Sequence, residues 1–155
     1  MKTKQMALGA ITLALIVAGC GGSSAPSLSA YKTSFKQNKV TFRQLGLDLQ
    51  KAITGAQAKT DAQLATEIGA LATRASQQAS AIAKLNPPAK YKADNQKLTA
   101  AFRSVAADLH KISAAAVKHD AATAKTATET LLADAAKVKA SDDAITKGLG
   151  LPVNG

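Results

Sequence analysis

Few side chains in this 155-residue sequence could do chemistry, and their spacing keeps them from cooperating. The one cysteine, Cys20, is a potential thiolate nucleophile. The two histidines, His110 and His119, are nine residues apart, which places them on roughly opposite sides of any shared helix. His110 lies off the apolar stripe and His119 falls in a turn, so both read as solvated, with adventitious surface metal binding as the other option. A di-iron bundle needs Glu-x-x-His pairs with further glutamates. Glu67 and Glu129 are the only glutamates, and neither has a histidine at the third position. A haem held by Met and His needs an axial methionine, and Met1 and Met6 both stand at the extreme N-terminus. Asp142 and Asp143 are neighbours and would point about 100° apart on a helix, so they do not converge as paired carboxylates. Phosphate loop, nucleophile elbow and zinc spacing are all missing from the sequence. The expectation is a non-enzymatic protein without cofactor or metal.

Cys20 closes an apolar stretch, and its setting carries more information than its thiol. Lys2 and Lys4 precede thirteen apolar or small residues, Met6 to Ala18, the length of a signal-peptide core and too short for the ~20 residues of a spanning helix. The stretch ends in Val17-Ala18-Gly19-Cys20, which resembles the lipobox of bacterial lipoprotein precursors. The resemblance covers residues 1–20 and implies diacylglyceryl transfer to the Cys20 sulfur, cleavage before Cys20, and attachment to the extracytoplasmic face of a bacterial membrane. The alternative, an ordinary secretory leader, would leave an exposed thiol beside Gly21-Gly22-Ser23-Ser24 in an oxidising compartment.

On this reading residues 1–19 are a lipoprotein signal peptide, and residues 20–27 are the lipidated cysteine with a Gly/Ser/Ala/Pro tether. A two-chain anchor holds a small domain for long times, at roughly 0.8 kcal/mol per buried methylene. With a single cysteine no intrachain disulfide can form, so packing must stabilise the rest.

Residues 28–150 are rich in Ala, Lys, Leu, Thr and Gln, lack Trp, and hold all five aromatic residues: Tyr31, Phe35, Phe42, Tyr91 and Phe102. That is helix-forming composition. Apolar residues recur at steps of three and four in four segments. The first runs Leu28, Tyr31, Phe35, Phe42, Leu45, Leu49, Ala52; the second Leu64, Ile68, Leu71, Ala75, Ile82, Leu85. The third runs Tyr91, Leu98, Phe102, Val105, Leu109, Ile112, Ala116; the fourth Ala124, Leu131, Ala135, Val138, Ile145, Leu149. Asn38, Gln78, Asn95 and Asp142 interrupt the stripes, where polar groups cost stability and can fix register.

The breaks are equally legible. Gly55 precedes the capping-box pattern Thr60-Asp61-Ala62-Gln63. Asn86-Pro87-Pro88 stops one helix and suits the start of the next. Asp120 follows Lys118-His119 as an N-cap, and Gly148, Gly150 and Pro152 end the last helix. Four helices joined by short turns run antiparallel to their neighbours, so the predicted fold is all-α, an up-down-up-down four-helix bundle ~40 Å long, with residues 151–155 as a C-terminal tail. A shift of sixty residues aligns Tyr31-Lys32 with Tyr91-Lys92, Phe42-Arg43 with Phe102-Arg103 and Asp48-Leu49 with Asp108-Leu109. The bundle thus reads as two helical hairpins related by approximate two-fold symmetry, of duplicated origin or of chance phase.

The precursor carries +10, and loss of Lys2 and Lys4 leaves +8. An exported, basic protein points to anionic lipid headgroups or envelope polymers rather than to nucleic acid. Lys32, Lys36, Lys39 and Arg43 form a basic stripe along the first helix. Entered from the tether, the bundle places eleven basic and four acidic side chains in its membrane-proximal half, +7, and seven and six in its distal half, +1. Lys32, Lys84, Lys90, Lys92 and Lys147 would form the proximal basic end. The expected function is a lipid-anchored binding or spacer module of the cell envelope. The alternative is a carrier of a small apolar ligand between helices where alanine leaves room. A charged end on a solid bundle favours the first, and a pocket favours the second.

Overall fold

Helix starts are set by side chains that take up first-turn amides. The computed structural model describes residues 27–153, so the leader, the lipobox, Cys20 and all of the tether but Ser27 lie outside the described residues. Ser27 accepts from the Ala30 amide and opens α1, Leu28–Thr54. A 3-10 turn, Ala56–Ala58, leads to α2, Asp61–Ala83. Its capping box is complete, with the Gln63 amide donating to Thr60 Oγ1 and the Thr60 amide donating to Gln63 Oε1. Pro88 precedes α3, Ala89–Val117, and Asp120 opens α4, Ala121–Gly148. The Thr123 hydroxyl and amide both donate to the Asp120 carboxylate and hold its pKa below the usual carboxylate value.

The helix ends are closed by backbone. After α3, His119 takes the left-handed conformation (φ 55°), its amide bonds the Ala116 carbonyl, and the Asp120 amide bonds the Ala115 carbonyl. After α4, Gly150 (φ 61°) repeats the pattern with the carbonyls of Lys147 and Thr146. Both are Schellman closures.

The described residues contain four α-helices and no strand, packed as the predicted four-helix bundle. Helix α2 packs most extensively on α3, and α3 on α4, while α1 rests more lightly on α2. Helices α1 and α3 run parallel across the bundle diagonal, joined by aromatic rings. Tyr31 lies 5.7 Å from Tyr91, and Phe42 lies 4.9 Å from Phe102, centroid to centroid. These are the pairs related by the sixty-residue shift, and they touch directly. The helix packing is nevertheless not two-fold, since α2 packs extensively on α3 while α4 stands apart from α1.

Most of the expected stripe is buried, including Phe35, Ile82, Leu98, Leu109, Leu131 and Ile145. Leu28 is not: it is 52 % exposed, because the first residue of α1 lies beyond the end of its partners. The polar interruptions all become links between elements. Gln78 donates to Asn38 Oδ1 across α1 and α2, Asn95 joins Tyr31 to the Ile82 carbonyl, and Asp142 meets Lys39. The described part of the tail docks on the bundle, with Leu151 packed on the core and the Pro152 carbonyl accepting from Lys39.

Candidate functional site

The five lysines singled out in the sequence are brought to one end of the bundle. Lys32 follows Tyr31, and Lys90 and Lys92 flank Tyr91, whose ring meets Tyr31. The Tyr91 hydroxyl donates to the Gly148 carbonyl at 2.6 Å, which holds the neighbouring Lys147 at the same end. A Cβ on Gly148 would stand 2.8 Å from Tyr91 Cε1, so a glycine is what allows this approach. Lys84 closes α2 one turn beyond Ser80 and beside Ile82, whose carbonyl is bonded by Asn95. Lys90 Nζ also lies 5.4 Å from the centre of the Tyr91 ring.

Charge at this end is uncompensated. Lys84, Lys90, Lys92 and Lys147 are exposed, Lys32 is half-buried, and none pairs with a described acid. The four acids of this half are already engaged: Asp94 by Lys97, Asp134 by Lys137, Asp142 by Lys39 and Asp143 by Lys139.

A second feature lies along the side of the bundle. The backbones of α1 and α4 stand apart over most of their length, and between them opens a cleft of about 310 Å³. Its walls are Phe42, Leu45 and Leu49 of α1 and Ala135 and Val138 of α4, and its floor is Phe102 and Val105 of α3. At the end nearer the lysines the cleft is closed by Lys39. Its Nζ donates to Thr146 Oγ1 (3.1 Å) and to the Pro152 carbonyl (3.1 Å), and stands 3.7 Å from Asp142 Oδ2. Burial pushes the Asp142 carboxyl above the usual carboxylate value, against the opposing pull of Lys39.

Lys39 shares the basic stripe of α1 with Lys32, Lys36 and Arg43. The structure turns it inward, because three acceptors from α4 and the tail converge on it. The cleft itself was legible only as a shortage of bulk: the side of α4 facing α1 offers alanine and valine, and Gly46 leaves the opposite wall bare.

Other titratable residues are occupied elsewhere. His119 Nδ1 meets the Asp61 carboxylate and ties the α3–α4 turn to the start of α2, while the side chain stays solvated. Asp108, which the sequence did not single out, is buried on α3. Lys111 bonds one of its oxygens while Oδ2 has no partner among the described residues. Asp142 and Asp143 engage different lysines, in accord with their divergent directions. No protein-family model matches the chain, and neither a curated protein nor a solved structure matches it.

Proposed function

We propose that this protein is a lipid-anchored, non-enzymatic module of the bacterial cell envelope, held at the extracytoplasmic face of the membrane with its basic end toward an anionic surface. The observation that carries the reading is the gathering of Lys32, Lys84, Lys90, Lys92 and Lys147 at the end where the tether enters, with no acid to neutralise them. A basic side chain near an anionic headgroup contributes roughly 1 kcal/mol within a Debye length. The anchor supplies attachment, and the lysines set orientation. Envelope polymers offer the same anionic chemistry.

The anchor is tested at Cys20. Cys20→Ser should abolish acyl labelling and move the protein from the detergent phase to the aqueous phase, with helical content unchanged, since Cys20 precedes every described helix. Retention in the detergent phase equal to wild type would refute lipidation.

The basic end is tested without the anchor. The chain from residue 20 carrying Cys20→Ser should bind anionic vesicles at low salt, lose binding as salt rises, and ignore neutral vesicles. Replacing the five lysines by glutamine should remove that binding. Absent or salt-insensitive binding to anionic vesicles would sink the surface assignment.

A second reading, a carrier of a small apolar ligand, is favoured by the α1–α4 cleft. The two are compatible, because the cleft opens on the side of the bundle and the lysines crown its end.

A further inference from the structure

We propose that the α1–α4 cleft binds a single-chain amphiphile with an anionic head, its chain along Phe42, Leu49, Phe102 and Val138 and its head at Arg43. The inference rests on the carrier reading and adds to it the class of ligand and the residue that selects it.

Size comes first. About 310 Å³ falls at the low end of the ~300–1,000 Å³ of small-molecule pockets, enough for one alkyl chain and too little for a two-chain lipid. The walls along which the chain would lie are apolar, and the charged residues of the lining are Lys39, Arg43, Lys139, Asp142 and Asp143.

The charge beside the apolar walls then selects the head. Lys39 and Asp142 satisfy each other, with Lys39 held further by Thr146 and Pro152. Lys139 pairs with Asp143. Arg43 is exposed and pairs with no described acid. It also borders a smaller apolar depression beside Lys36, Val40 and Leu151, so it stands where the two hollows meet. The uncompensated charge beside the apolar walls is therefore a guanidinium, whose planar fork suits a carboxylate or a phosphate.

Gly46 provides a blocking variant that spares the fold. It lines the cleft, and a Cβ built on it meets no atom within 4 Å. A side chain there enters open space, and replacing a mid-helix glycine favours the helix.

The test uses the chain from residue 20 with Cys20→Ser, which keeps every described residue, titrated calorimetrically with decanoate and with decanol below their aggregation concentrations. Decanoate should bind one to one and at least tenfold more tightly than decanol. Arg43→Gln should reduce decanoate to the level of decanol and leave decanol unchanged. Gly46→Trp should abolish binding of both while circular dichroism shows unchanged helix. Equal binding of decanoate and decanol, or decanoate binding indifferent to Arg43→Gln, would overturn the anionic-head assignment and leave the carrier reading standing. Failure of both probes to bind wild type, or undiminished binding to Gly46→Trp, would overturn the cleft as a ligand site and the carrier reading with it.

Discussion

Phe102→Ala should destabilise the bundle by about 3–5 kcal/mol, the range for deleting a buried aromatic side chain. Phe102 is 3 % exposed, and its ring lies 4.9 Å from that of Phe42 at an interplanar angle of 48°. The position is sensitive for a second reason. Helix α1 has a modest backbone interface with α2 and is joined to α3 across the diagonal through Tyr31–Tyr91 and Phe42–Phe102. Losing one ring pair loosens half of that connection. Urea denaturation of the two variants and wild type reads the effect, and His110→Ala, an exposed position, should stay within about 0.5 kcal/mol of wild type. A double-mutant cycle with Phe42→Ala should give a coupling of ~0.5–1.5 kcal/mol. Equal costs for Phe102→Ala and His110→Ala would mean that the third stripe is wrongly phased.

Helix positions were legible because each boundary is written in local chemistry. Thr60 with Gln63, the Pro87-Pro88 pair and Asp120 each act within three or four residues of chain, where sequence alone decides. The stripe was legible for the same reason, since it reports a period rather than a partner. Leu28 failed because the period continues past the point where partner helices end, and only tertiary structure defines that point. Burial of Asp108 was invisible too. A lone acid between Ala107 and Leu109 looks like an ordinary exposed position until tertiary packing buries it.

The candidate sites differ in the same way. The five end lysines followed from topology plus residue numbers, and the structure places them together because alternating helix directions leave little choice. The cleft depends on how far α1 stands from α4, a distance set by Lys39, Asp142 and the docked tail acting over more than a hundred residues of chain. Sequence registered only its ingredients, alanine and glycine where larger residues would have filled the seam. Lys39 shows the limit most clearly: four basic residues at steps of four, three and four look alike, and one of them is turned inward by acceptors it meets only after folding.

Asn95→Ala should cost about 1–3 kcal/mol through the polar group it orphans, with a smaller addition for lost packing. Asn95 is buried on α3, accepts from the Tyr31 hydroxyl at 3.2 Å, and donates to the Ile82 carbonyl at 3.1 Å. The Ile82 carbonyl keeps the Leu85 amide as a partner. Tyr31 has no such reserve. Its ring is buried, burial already pushes its hydroxyl's pKa up, and the freed O–H would stay out of reach of water. Removing both polar partners separates this cause from simple loss of bulk, because a buried donor and acceptor deleted together leave nothing unsatisfied. Tyr31→Phe combined with Asn95→Ala should therefore be less destabilised than the sum of the single variants, by about 1 kcal/mol in urea denaturation. Strict additivity would show that Asn95 acts by packing alone. The position matters beyond stability, since Tyr31 sits in the first turn of α1, directly after the tether and beside Lys32. An α1 start freed from Asn95 lets Lys32 drift from Lys90 and Lys92. Asn95→Ala should then weaken binding of the unlipidated chain to anionic vesicles even in buffers where the bundle remains folded.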